Sequence, residues 1–85
     1  MPVISRFLGI AIAIYYRDRA PPHFHALYGE FEITVSIRDG AVQGAFPRRA
    51  QGLVLEWLEQ HRAELIADWE RAQAGEALLP IPPLD

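Results

Sequence analysis

The sequence predicts an α+β fold, a small and mostly antiparallel sheet in the first half of the chain packed by helix in the second. Three observations carry this. Apolar residues alternate with small or polar ones up to about Phe46, whereas from Pro47 to Ala74 they recur every three or four positions. Gly and Pro punctuate the first half at short intervals, but none interrupts the second between Gly52 and Gly75. A period of two marks strand and a period of 3.6 marks helix.

The first strand region covers about 3–16. Ile10, Ile12 and Ile14 alternate there with Gly9, Ala11 and Ala13, and β-branched residues suit a pleated surface. Gly9 marks a bulge or tight turn, so Val3 to Phe7 separates as a short strand of its own. The small alanines on the second face leave room for a closely packed helix. Arg17 to Pro22 is a connection stiffened by two prolines, which restrict their own backbone and that of the preceding residue.

Strands at about 23–29 and 31–38 follow. In the latter, Phe31, Ile33, Val35 and Ile37 alternate with Glu32, Thr34, Ser36 and Arg38, the pattern of a half-buried strand. Asp39-Gly40 signals a type I′ hairpin turn, returning the chain into a short strand at about 41–45. Pro47 suits a first helical turn. The apolar stripe Ala50, Leu53, Val54, Trp57, Leu58, Leu65, Ile66, Trp69 and Ala72 predicts helix over about 47–74. Gly75 ends it, either as one helix or, with a kink near Gln60-His61-Arg62, as a pair.

Trp57 and Trp69 lie roughly 120° apart around the helix axis and belong to the core. His61 shares their stripe and is expected to be buried with a satisfied hydrogen bond. Glu56, Glu59, Glu64, Asp68 and Glu70 form an acidic, solvated outer face. Residues 76–85, with three prolines after Leu79, form a C-terminal tail.

Eighty-five residues suffice for a single domain over 1–85. A composition 51% hydrophobic and 22% charged is that of a folded globule and excludes general disorder. The absence of cysteine removes thiol catalysis, thiolate zinc sites and disulfides, and fits a cytoplasmic location. The apolar run Phe7 to Tyr16 is too short to span a bilayer, so no membrane association is expected. Residues 1–50 carry six Arg against four acidic side chains, a balance of +2; residues 51–85 carry two against seven, a balance of −5. The total of −3 argues against strong nonspecific nucleic-acid binding, while the mildly basic first half leaves an acidic partner or nucleic acid open.

The chemically suggestive locus is Pro21-Pro22-His23-Phe24-His25. Positions i and i+2 of a strand project from one face, so both imidazoles point the same way while Phe24 enters the core. Two imidazoles make half of a metal site. Zinc needs at least one more protein ligand, and the nearest carboxylates in sequence are Asp18, Glu30 and Glu32, with His61 the only other histidine. The chain has no HExxH spacing, so no metal or other cofactor is assigned; if one binds, His23 and His25 are its ligands. The pair also suits metal-free acid-base catalysis, as in RNA cleavage, with an arginine holding phosphate. The structural alternative has one histidine bonding backbone at the proline turn and the other at a half-buried edge.

Arg48-Arg49 opens the helix at its positive dipole end, where cations are unfavourable. Either these arginines, with Arg17 and Tyr28, bind an anion or partner, or they pair with Glu30, Glu32 or Asp39 on the sheet.

Ile4-Ser5-Arg6-Phe7, Gly9-Ile10, Pro21-Pro22-His23-Phe24-His25-Ala26, Tyr28-Gly29, Pro47-Arg48-Arg49, Glu56-Trp57, His61-Arg62, Glu64-Leu65 and Trp69 resemble a bacterial family numbered 4160 among domains of unknown function. The resemblance implies a small protein often encoded beside another small domain in the arrangement of a toxin-antitoxin pair, with this member as the toxin. Its expected partner is then a cognate antitoxin-like protein encoded next to it, in a hetero-oligomer or as a homodimer. Its target would be nucleic acid or the translation apparatus. Pro22, His23, His25, Tyr28, Gly29, Arg49, Trp57, His61 and Trp69 match the family pattern, but the Asp-His frequently found before the prolines is Asp18-Arg19-Ala20 here. Two alternatives stand beside the toxin reading: a non-enzymatic adaptor or regulator recruiting a partner at an exposed sheet edge, and a metal-binding protein built on His23 and His25.

Overall fold

The computed structural model describes residues 2–85 and shows the expected α+β architecture. Five strands, β1 (Val3–Phe7), β2 (Ile10–Ala13), β3 (His23–Tyr28), β4 (Phe31–Ser36) and β5 (Val42–Ala45), form an antiparallel meander in sequence order. One helix, α1 (Arg48–Ala74), follows and covers one face of the sheet. No helix among the described residues is long and apolar enough to cross a membrane.

The strand region 3–16 is a two-stranded hairpin, divided as expected at Gly9. Phe7 pairs with Ile10, and Leu8 and Gly9 between them have φ of 50° and 82°. Positive φ at both central residues is the requirement of a type I′ turn. The turn expected of that type at Asp39-Gly40 is different: Asp39 does not have positive φ, and the Gly40 N–H reaches back to the Ser36 carbonyl at 2.9 Å in a longer loop. The Asp39 carboxylate accepts the Ala41 N–H at 3.0 Å. That bond, and then the Ser36 hydroxyl, lower its pKa. The hairpin follows from the sequence, but a side-chain bond replaces the second left-handed residue.

Cross-strand register separates the two faces. Ile12, Ala26 and Ile33 form one row; Ala13, His25, Thr34 and Gln43 form a row on the other face. The helix packs on the isoleucine face, where Ile10, Ile12, Ile14, Phe24, Ile33 and Val35 meet Val54, Trp57, Leu58 and Leu65. The expectation that it would use the alanine face is therefore wrong: branched side chains offer α1 more apolar area to bury. The other face keeps its polar row.

Pro47 precedes α1 and accepts its first bond, from the Gln51 N–H at 2.9 Å. At the far end Gly75, with φ of 74°, donates to the Ala72 carbonyl while Glu76 donates to Arg71. These two bonds make a Schellman close. His61 has non-helical dihedrals, φ −129° and ψ 24°, which places the kink where it was expected. Arg62 fixes it by donating to the Ile37 carbonyl at 2.8 Å.

After the kink Asp68 is fully buried, contrary to its assignment to the solvated face. Its Oδ1 accepts from the Arg71 guanidinium at 2.8 Å and from the Leu79 N–H at 2.9 Å. The tail supplies the covering: Ile81 is buried and donates to the Ile4 carbonyl on the outer edge of β1, and the Trp57 indole N–H donates to Pro82.

Two glycines give opposite expectations. A Cβ at Gly44, where φ is 107°, would lie 2.7 Å from the Glu32 carbonyl oxygen on the paired strand. Gly44→Ala should cost about 1–3 kcal/mol through left-handed strain and the forced shift of β5. Gly52 lies in the first turns of α1 with open space around it, so Gly52→Ala should stabilise by about 0.4–1 kcal/mol. Urea midpoints moving in the same direction for both variants would contradict this account of β5.

Candidate metal centre

Strand β3 delivers His23 and His25 to the face opposite the helix, with Phe24 fully buried between them. Their ring centroids are 5.3 Å apart. The connection from β2 supplies the third group. Arg17, with φ of 56°, turns the chain, and the C-terminal end of α1 holds the turn: the Arg17 N–H donates to Ala72 at 3.3 Å and the Gln73 side chain to the Asp18 carbonyl at 3.0 Å. Asp18 is thereby aimed at both imidazoles.

Asp18 Oδ2 lies 2.9 Å from His23 Nε2 and 3.2 Å from His25 Nε2. The opposite ring nitrogens are also engaged. His23 Nδ1 is 2.9 Å from the Pro21 carbonyl oxygen, and His25 Nδ1 is 3.1 Å from Glu32 Oε2. Tyr15 meets the His25 ring edge-on at 4.5 Å, and Trp69 lies 5.2 Å from the His23 ring. The three side chains are only partly buried, with 26% of Asp18, 17% of His23 and 14% of His25 exposed, so solvent reaches one side of the cluster.

A carbonyl only accepts, so His23 Nδ1 must carry hydrogen, and Nε2 of the neutral ring is then a lone pair. That lone pair faces a carboxylate oxygen at 2.9 Å. His25 lies between two carboxylates and has one proton for the two. Neutral rings therefore leave acceptor atoms turned on one another around Asp18 Oδ2. Only additional protons or a cation relieve this. Burial opposes ionisation of Asp18, but hydrogen bonds from His25 and the Arg19 N–H, with the charge and hydrogen bond of His23, outweigh it and hold the carboxyl below its usual range.

The candidate ligand atoms of Asp18, His23 and His25 lie within 4.8 Å of one another. An ion about 2.0–2.2 Å from each atom fits such a spacing. The Nδ1 contacts to Pro21 and Glu32 are of the kind that, in metal sites, fix the tautomer and orientation of a histidine ligand.

His61 is outside the cluster; it is part-exposed, and its Nδ1 bonds Glu64 at 2.6 Å. The residues expected to bind an anion or partner divide between the two ends of α1. Arg17 lies at the C-terminal end, its guanidinium so near Gly75 that a Cβ there would come within 3.1 Å of it. Tyr28 and Arg49 line one cavity of about 260 Å³ at the N-terminal end with Leu8, Pro47 and Leu53, next to Arg48. Neither Arg48 nor Arg49 makes an ion pair among the described residues, so the expected pairing with Glu30, Glu32 or Asp39 does not form.

Fold and site together define a small α+β protein with an aspartate-histidine-histidine cluster on the open face of an antiparallel sheet. Residues 9–70 match the family model described as Domain of unknown function (DUF4160), and the chain belongs to that family. The matched segment contains the whole cluster, β2 to β5 and most of α1. No curated protein and no solved structure matches the chain.

Proposed function

We propose that this protein binds a divalent transition-metal ion through Asp18, His23 and His25, in a centre that keeps coordination positions open for water or a ligand. The observation that carries this is the convergence of Asp18 Oδ2 and two imidazole Nε2 atoms while both Nδ1 atoms face acceptors. Three protein ligands with an open side is the arrangement of catalytic rather than structural zinc sites, and two histidines with one carboxylate also suit iron. The test is elemental analysis and native mass spectrometry of protein purified without a histidine tag. One ion per chain supports the reading; a chain that stays metal-free in excess zinc, cobalt and iron(II) excludes it.

A second reading is favoured by the other end of the molecule. Leu8 is 68% exposed, Phe31 41% and Tyr28 36%, and the adjoining Arg48 and Arg49 have no acidic residue in the first turn of α1 to oppose them. Such a surface suits a small protein presenting an acidic segment with apolar anchors. On this second reading we propose that the surface receives the cognate antitoxin of a paired module in which the present chain is the toxin. Co-expression with the product of the adjacent gene should yield a complex on size exclusion that Leu8→Glu with Arg49→Glu abolishes. Persistence of the complex in that variant would rule out this surface.

A further inference from the structure

We infer that the C-terminal tail is a working part of the Asp18-His23-His25 centre: docked, it braces the last turns of α1, and those turns aim Asp18, so tail docking and ion binding strengthen each other. This rests on the metal-binding reading. The tail is anchored at three points. The Leu79 N–H donates to Asp68 Oδ1 at 2.9 Å, the Ile81 N–H to the Ile4 carbonyl on β1 at 2.8 Å, and the Trp57 indole N–H to the Pro82 carbonyl at 2.9 Å. Trp57 precedes the kink at His61 and Asp68 follows it. The tail therefore ties the part of α1 after the kink both to the part before it and to the edge of the sheet.

That same part of the helix holds the centre. Trp69, next to Asp68 in sequence, has its ring centroid 5.2 Å from that of His23. Ala72 accepts from the Arg17 N–H at 3.3 Å, and the Gln73 side chain donates to the Asp18 carbonyl at 3.0 Å. One helical segment, 62–74, thus contacts the tail through Asp68 and the centre through Trp69, Ala72 and Gln73. The docking of the tail is not tight. A cavity of about 130 Å³ lies where it meets the helix, lined by Glu64, Asp68, Arg71, Leu79 and Ile81, among others. Asp68 Oδ2 is buried with no hydrogen-bond partner among the described residues. Incomplete packing and an unsatisfied buried acceptor both oppose closure, and such segments open locally before the fold does. An ion that fixes Asp18 and His23 against the helix segment therefore favours the docked tail. By linkage the docked tail favours the ion to the same degree.

The experiment uses the full chain and zinc, with hydrogen exchange at the Leu79 and Ile81 amides reporting the docked tail. Saturating zinc should slow exchange at both by at least about fivefold, the lower end of ordinary coupling. The Gln51 amide, bonded to Pro47 at the other end of α1, should keep its rate. Ile81→Ser, which removes the buried apolar anchor of the tail, should weaken zinc binding by the same factor. Leu53→Ala, also at the other end of α1, should bind zinc like the parent chain even though it lowers the urea midpoint. Zinc binding with unchanged exchange at Leu79 and Ile81, with equal slowing at Gln51, or with equal affinity in Ile81→Ser overturns this inference and leaves the metal centre standing. If Ile81→Ser does not fold, the exchange rates of the parent chain decide alone. Absence of zinc binding in the parent chain overturns the metal centre and this inference with it.

Discussion

Zinc binding should fall by more than about 100-fold in His25→Ala, because an outer partner alone is worth 10–100-fold and a direct ligand more. The variant loses one of two nitrogens that meet Asp18 Oδ2, and it leaves Glu32 without its imidazole. His23→Ala should act equally. Glu32→Gln should cost less, within the outer-partner range, since it keeps an acceptor for the Nδ1 hydrogen but removes the charge that raises ligand basicity. His61→Ala should bind zinc like the parent chain, because His61 is engaged with Glu64 away from the cluster. Calorimetry with untagged protein gives all four values. Equal losses in His61→Ala and His25→Ala would show that zinc is held nonspecifically, and the proposed centre would be wrong.

Trp57→Ala should remove most of the stability of the fold. The indole is completely buried, with ring centroids 5.5 Å from Phe7 and 5.7 Å from Phe24, and it joins the helix to the sheet and to the tail through Pro82. Truncating a buried aromatic costs about 3–5 kcal/mol, while a domain at the small end of the range has only about 5 kcal/mol in total. The variant should be largely unfolded at 25 °C or melt far below the parent. Trp57→Phe separates the two roles: it retains much of the packing and loses the bond to the Pro82 carbonyl, a net effect of about 1 kcal/mol. Its signature should be faster amide exchange at Ile81 with a nearly intact sheet. A shift of under about 1 kcal/mol in the urea stability of Trp57→Ala would place the centre of the core elsewhere.

Much of the candidate site was legible in the chain. His23 and His25 share a face because strand geometry alternates, and Phe24 enters the core for the same reason. Even Glu32 follows from hairpin arithmetic. With Gly29-Glu30 as a two-residue turn, Tyr28 pairs with Phe31 and His25 with Thr34, which leaves Glu32 one diagonal step from His25 on the same face. Asp18 was only the nearest carboxylate upstream. Its convergence on both rings depends on the left-handed Arg17, on the Arg17 N–H bond to the Ala72 carbonyl and on the Gln73 side-chain bond to the Asp18 carbonyl, both partners on α1 and more than fifty residues away. No local pattern encodes such contacts.

The sequence by itself determined the order of strands and helix, the kink at His61, the glycine that closes α1 and the common face of the two histidines. Each of these is a matter of dihedral preference or side-chain period within a few residues. Tertiary structure alone decided which face of β2 receives the helix, that Asp68 is enclosed by the returning tail, and that Arg17 and Arg49 lie at opposite ends of α1. It also decided that Asp18 completes the histidine pair. These outcomes depend on how distant segments share buried area and satisfy one another's polar groups, which is a property of the assembled core rather than of any stretch of chain.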